Sequence, residues 1–367
     1  MRFRFIAGVA LTVAIAALPT LAQNADSPDA PRTLPVSSDD NADLTDTHVR
    51  AFRVQINSLF DKGAFSELEA LAEQARSQKL RFKGGAWRLN TFYRTVCTPG
   101  SLTSTDAEWQ FRIDKLEQWM KESPASPTPR VALARAYIRF AWKARGNGFA
   151  NTVTPEGWAL FRQRVQSGGT VLEAAEKISS GDPQWYREMQ TVALAQGWNR
   201  TQVDALANQA LANEPDYYYF AVAQANYLLP KWYGKPGESE QYAEQVADHA
   251  GGAEGDATYF QIATELNCCR TTQAPALSWA RVRQGFSAVE QLYGSTNHQR
   301  NAMAYMALRA GDTQTAQQLF ERIGNDWDAE VWKTKALFDA SRSGQTVGGK
   351  QPVRADRPGS GAPAEND

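Results

Sequence analysis

The sequence predicts an all-α protein, a right-handed superhelix of antiparallel helix pairs of the tetratricopeptide-like kind with degenerate repeats. Three observations carry that expectation. Through the middle of the chain apolar residues recur every three or four positions, the period of an amphipathic helix, and almost no run alternates as a half-buried strand would. Helix punctuation is frequent: Ser66-Glu67-Leu68-Glu69 and Thr105-Asp106-Ala107-Glu108 have capping-box spacing, Asp182-Pro183 sets an N-cap acid before a first-turn proline, and Gly63, Gly146, Gly197 and Gly311 stand where helices end. The helices are short and paired, and two segments fit a period of about 34 residues.

In the first of these, Asn301 to Asp328, Ala304 is the small residue of one helix, Gly311-Asp312 the turn, and Ala316, Phe320 and Ile323 the packing face of the next. The second holds Ala207, Ala210 and Pro215. Other pairs fit less well, hence a degenerate array.

From the N-terminus, Arg2 and Arg4 precede an apolar run from Ile6 to Leu18, then Pro19 and a small-residue site ending at Ala22. This is the pattern of a cleavable signal peptide (1–22), and the run is shorter than the roughly 20 apolar residues a membrane anchor needs. The expected location is the periplasm or the exterior of a bacterial cell. The first cysteine is Cys97, so the cleavage point offers no thiol for a lipid. Residues 23–44 are rich in Asp, Ser, Pro and Ala and read as a disordered linker. The helical repeat domain spans 45–342, and 343–367, dense in Gly, Pro, Ser and charge, read as a disordered tail.

Two breaks interrupt the domain. Lys121 to Pro129 carries three prolines, each turning its predecessor away from helix, and marks an extended connection or a sub-boundary at 121–129. Arg145 to Pro155 has the glycine and asparagine content of a shaped loop.

Removing Arg2 and Arg4 from 39 basic side chains leaves 37 against 40 acidic, a net charge of −3. No nucleic acid partner is implied by that balance, and no later stretch is apolar enough for a stable membrane anchor. Eleven Trp, twelve Tyr and sixteen Phe supply large side chains, most of them for the core. Cys97, Cys268 and Cys269 make an odd count. Adjacent cysteines bridge poorly, so a disulfide joins Cys97 to Cys268 or Cys269, or all three remain buried thiols.

His48, His249 and His298 are far apart, with no metal-ligand spacing. The chain contains no Gly-x-Ser-x-Gly, Ser-x-x-Lys, His-Glu-x-x-His or phosphate-loop motif, so neither a metal nor another cofactor is expected. Glu122-Ser123 and Glu238-Ser239 are the only Glu-Ser pairs, and both lack the surroundings of a transglycosylase acid.

Aromatic clusters remain. One holds Trp142, Arg145 and Trp158; another runs from Tyr217-Tyr218-Tyr219-Phe220 to Trp232. As a site, Trp142, Arg145, Trp158 and Trp232 form a groove for a peptide or glycan, with Arg145 holding a carboxylate. As structure, they are core residues that fix the connections between helix pairs. The strings Arg145-Gly146-x-Gly148-x-Ala150, Gly157-Trp158-x-Leu160-Phe161, Asp182-Pro183-x-Trp185-Tyr186, Gln196-Gly197-Trp198 and Leu229-Pro230-x-Trp232-x-Gly234 resemble the bacterial family named domain of unknown function 4034. The resemblance covers about residues 60 to 260. It implies a tetratricopeptide-like helical architecture and no particular activity.

The functional expectation is therefore a binding or scaffolding module of the cell envelope with a protein or peptide partner, or a cell-wall glycan. Two rivals stand beside it: an enzyme on an envelope polymer, with Glu156 near Arg145 and Trp158 as general acid, and an immunity or inhibitor protein for an exported toxin. The first rival requires a desolvated carboxylate in a deep cleft.

Overall fold

The computed structural model describes residues 43–100, 103–146, 152–230, 232–267 and 277–344. The expected signal peptide, nearly all of the 23–44 linker and the tail beyond 344 lie outside these residues, as do Cys268 and Cys269 of the expected disulfide. Its other half, Cys97, is buried, with Sγ 3.6 Å from the Arg94 carbonyl oxygen.

The described residues form sixteen α-helices and no strand beyond an isolated bridge between Arg81 and Trp87. None of these helices is long and apolar enough to cross a membrane. The first six are α1 (Thr47–Lys62), α2 (Phe65–Ser77), α3 (Arg88–Cys97), α4 (Asp106–Glu122), α5 (Thr128–Arg145) and α6 (Pro155–Ser179). Then follow α7 (Pro183–Gln196), α8 (Arg200–Asn213), α9 (Tyr218–Tyr227), α10 (Glu238–Ala250) and α11 (Gly252–Asn267). The last five are α12 (Trp279–Tyr293), α13 (Asn297–Ala310), α14 (Thr313–Ile323), α15 (Ala329–Trp332) and α16 (Lys335–Arg342).

Local chemistry explains most of their ends. Thr105 and Glu108 cap each other's backbone amides in a full capping box, and the Asp182 carboxylate accepts from the Gln184 amide. Gly63, Gly197 and Gly311 close α1, α7 and α13 in the left-handed conformation that costs other residues most. The expected box at Ser66 does not form. Helix α2 starts at Phe65 behind an uncapped Ala64, and the Glu69 carboxylate instead accepts from Trp119 Nε1 at 2.9 Å and Ser126 Oγ at 2.7 Å. A tertiary partner for the carboxylate outcompetes the local one.

The proline-rich break is shorter than the sequence suggests. Helix α4 runs to Glu122 and α5 begins at Thr128, because Pro129 falls in a first turn where no helical amide bond is lost. The apolar core continues across this connection, from Ile56 to Phe338 as one cluster.

Packing follows a simple rule. Each odd-numbered helix from α1 to α13 packs on the next odd-numbered one, and the even-numbered helices lie against this layer. Small residues allow the close approaches: a Cβ on Gly285 of α12 would sit 2.3 Å from the Asp256 carbonyl oxygen of α11. Ala304, Ala316, Phe320 and Ile323 are all buried between α13 and α14, and Ala207 and Ala210 bury the inward face of α8.

The connection from α2 to α3 crosses the odd-numbered layer. Lys79 pairs with Glu214, and the Trp87 amide and indole N–H donate to the Tyr219 hydroxyl and the Asp216 carbonyl, each at 3.1 Å. At its tip, Gly84 N–H donates to the Gly294 carbonyl, while Gln261 and Gln299 side-chain amides both donate to Gly84 O at 2.8 Å. Gly84 has φ +81°, and a Cβ there would lie 2.6 Å from Gln299 Oε1, so both backbone and space demand glycine.

A buried carboxylate anchors the start of this connection. Asp182 accepts from Arg76 Nε at 3.0 Å, from Arg76 Nη2 at 2.7 Å and from the Tyr93 hydroxyl. We expect Asp182→Ala to lower unfolding free energy by about 3 kcal/mol, since it leaves the mostly buried Arg76 with the exposed Glu73 as its remaining carboxylate and removes a helix cap. An unchanged urea midpoint would refute this account of the anchor.

At the other end His298 Nδ1 lies 2.9 Å from Asp328 Oδ2, and Asp328 caps α15. Burial pulls the imidazole down, but the Asp328 hydrogen bond and charge outweigh it and hold His298 above its ordinary 6.5. Burial likewise raises Asp328, and the His298 contact and the α15 amides outweigh it, holding the carboxyl below 3.8. The His298 contribution is thus complete below pH 6.5 and fades as pH rises through the higher folded value. The Asp328 contribution is complete above pH 3.8 and fades as pH falls through the lower folded value. An NMR titration should place the His298 midpoint above 6.5, and Asp328→Asn should lower it.

Candidate functional site

Helix α5 has an apolar stripe of Val131, Ala134, Ile138, Ala141 and Trp142, and Arg135 and Arg139 fall on that same inward side. Helix α7 does likewise, with Arg187, Glu188 and Gln190 buried among Met189, Val192 and Ala193. Where α5, α7 and α9 meet, these polar residues line a cavity of about 60 Å³, closed by Val203 of α8 and by Ala223, Gln224, Asn226 and Tyr227. That volume holds a few waters or a compact oxyanion. Thr191, Leu194 and Ala223 line it while keeping partial exposure, so the cavity opens to solvent beside them.

Its arginines are deeply placed: Arg135 is 1%, Arg139 6% and Arg187 8% exposed. Glu188 is the one carboxylate in the lining. It is neutralised from behind, accepting from Arg135 Nη1 and from the Gln184 side-chain amide, whose own oxygen accepts from the Tyr217 hydroxyl. Burial pushes that phenol well above its ordinary value, keeping it a donor. Arg187 Nη1 donates to Thr191 Oγ1 at 2.6 Å, Gln190 Nε2 to the Phe220 carbonyl at 3.2 Å, and Gln224 Nε2 to Asp204 Oδ1 at 2.9 Å. Among the described residues the Trp142 indole N–H and Gln190 Oε1 are sealed from solvent and make no hydrogen bond.

Three of the four aromatic-cluster residues come together beside this cavity. Arg145 Cζ lies 5.5 Å from the Trp142 ring centre and 5.4 Å from that of Trp158, and Phe161 touches both indoles edge to face. Burial lowers the Arg145 guanidinium from its ordinary value. Trp142 is thus shared, one part of its ring against Arg145 and Phe161 and another in the cavity wall. Trp232 stands apart, in the connection after α9, its amide bonded to the Leu229 carbonyl at 2.9 Å. It packs on the edge of the core and makes no ring contact with the other three. Residues 147–151 of the shaped loop lie outside the described residues.

The carboxylates of the enzyme reading are placed differently from what that reading needs. Glu156 is exposed on the first turn of α6. Glu238, held by the Lys235 amide and by Arg200, lies below the usual carboxylate range, the reverse of a general acid. Among the described residues no three His, Cys, Asp or Glu side chains converge as metal ligands. The second aromatic run, Tyr217 to Phe220, is buried core.

The sequence reading missed Arg135, Arg139, Arg187 and Gln190. A signal was present, since charged side chains interrupt the apolar faces of α5 and α7 at positions where packing alone would place Leu or Val. No protein-family model, curated protein or solved structure matches this chain.

The pairing of Arg135 with Glu188 generates a test. Arg135→Met leaves a buried carboxylate without its cation and should cost about 3–5 kcal/mol, whereas Arg135→Met with Glu188→Gln should recover most of the loss. Urea unfolding of the three proteins decides; equal losses in the single and double variants would refute the pairing as the cause.

Proposed function

We propose that this chain is an exported binding module of the bacterial cell envelope, a right-handed superhelix of antiparallel helix pairs that holds a protein or peptide partner at the cleft between α5, α7 and α9. The observation that carries the reading is the cleft itself. A helical array gains most stability by filling such a space with aliphatic side chains, and burying guanidinium groups there costs free energy that apolar residues would not. A concave, water-reachable site with a few convergent polar groups is the usual form of a ligand pocket.

Two further features support the architecture and address. The short connection from Arg76 to Trp87 touches α7, α9, α11 and α13, a convergence that favours a superhelical arrangement. The Arg-flanked apolar N-terminus with its small-residue site favours export.

The test is a pull-down of the tagged mature protein from the periplasmic extract of its own cells, beside an Arg139→Gln variant whose helicity and unfolding midpoint are unchanged. A partner retained by the wild type and lost by the variant is the expected outcome. Retention of no partner, or equal retention by both, would overturn the reading. Mass spectrometry of the exported chain should find Gln23 at its N-terminus.

A further inference from the structure

Helices α8 and α10 both pack on α9, and a second, larger opening lies between them. It is a groove of about 560 Å³, walled by α8 from Arg200 to Ala212 and by α10 from Glu238 to His249, with Gln224 and Leu228 of α9 also lining it. We propose that this groove docks an extended, uncharged peptide segment of about six residues with small aliphatic side chains. The site is distinct from the cleft: Arg135, Arg139 and Arg187 line the cleft and not the groove, so docking here does not depend on the cleft reading.

Each wall carries a polar row. On α8 it is Arg200, Asp204 and Asn208; on α10 it is Gln241, Gln245 and His249. Asn208, Gln241, Gln245 and His249 are exposed, whereas Ala207, Leu228 and Val246 of the same lining are buried, which gives the groove polar rims over an apolar floor. Members of a row are four residues apart, about 6 Å along a helix that rises about 1.5 Å per residue. An extended chain repeats the polar groups of one edge every second residue, about 6.6 Å apart. Long Gln side chains absorb a difference of about 0.6 Å per step, and planar amides offer both a donor and an acceptor to main-chain N–H and C=O groups. The lengths agree too. The α8 wall from Arg200 to Ala212 spans about 20 Å, room for about six extended residues, one for each side chain of the two polar rows.

An amphipathic helix suits this groove less. Its main chain is bonded internally and it docks through an apolar face, whereas eight of the fourteen lining residues here are polar. The charges of the groove are directed at one another: Arg200 Nε donates to Asp204 Oδ2 at 2.6 Å and Arg200 Nη1 to Glu238 Oε2 at 3.1 Å, which matches an uncharged ligand. Side chains of an extended segment alternate between its faces, so every second one meets the floor of Ala207, Leu211, Leu228 and Val246, where an aliphatic group is removed from water.

Fluorescence anisotropy of the full mature chain with a labelled, end-blocked Ser-Val-Ser-Val-Ser-Val peptide tests the site. Beside it stand the same peptide N-methylated at every valine, which keeps the side chains and loses main-chain donors, and a labelled chitin hexasaccharide. The unmodified peptide should bind. N-methylation should weaken it by roughly tenfold or more, as should the combined Gln241→Ala and Gln245→Ala substitutions, which remove exposed side chains and leave the unfolding midpoint unchanged. No binding of the peptide, equal binding of its methylated form, full affinity in the double variant, or tighter binding of the hexasaccharide would overturn the inference. If the peptide fails while an extract partner is lost in Arg139→Gln, the cleft reading stands and the groove assignment falls. If the peptide binds and the partner is retained equally by wild type and Arg139→Gln, the groove assignment stands and the cleft reading falls.

Discussion

A carboxylate that is wholly shielded from water must have its lone pairs filled, and Asp182 fills them from three directions. One oxygen accepts from the amide of Gln184 and so starts α7; the other takes Arg76 from α2 and the Tyr93 hydroxyl from α3. Arg76 also reaches Thr128 Oγ1 at 3.3 Å, at the start of α5. Four helices distant in sequence are thereby fixed to one atom group. A buried ion pair of this sort adds little net stability over an apolar substitute, yet any rearrangement that breaks it strands a charge. Its effect is on which arrangement of helices is permitted.

From Asp182 the polar line continues along α7. Gln184 lies two residues on, bonded to Tyr217 at the start of α9; Glu188 lies one turn further, bonded to Arg135 of α5. The last pair of this line, Glu188 and Arg135, also lines the cleft. Ligand groups in such a place are rigid without further cost, since their rotamers are already determined by the fold. The connection through Gly84 adds a second tie, joining the start of α3 to α11 and α13 through backbone and amide bonds.

How much of this was legible before the structure follows from the range of the interactions. Helix class and most ends depend on neighbours within four residues, so Thr105, Asp182, Gly63, Gly197 and Gly311 announced themselves. The Ser66 box failed because Glu69 found Trp119 and Ser126, some 50 residues later, and no local rule can see such a competitor. Among the aromatic residues, Trp142, Arg145 and Trp158 do meet, because α5 and α6 are consecutive and pack closely; Trp232 was grouped with them on composition alone and is placed elsewhere. The cleft arginines were visible as interruptions of an apolar stripe, but a buried arginine and a surface one look alike until the opposing helix is known. Asp182 shows the same limit from the other side: its cap was readable, its bond to Arg76, 106 residues away, was not.

Two of the cleft arginines, Arg135 and Arg187, have different roles, and their contacts separate them. Arg135 faces Glu188, so its charge is consumed within the protein and its removal is felt as instability. Arg187 Nη1 donates to Thr191 Oγ1 on its own helix, one turn away, which helps to fix the orientation of its fork. Trp142 divides its ring between Arg145 and the cavity wall. A core under selection for stability alone would replace this set with aliphatic residues at little cost or some gain. Retaining buried charge here therefore costs stability, and that cost is the observation behind the binding reading proposed above.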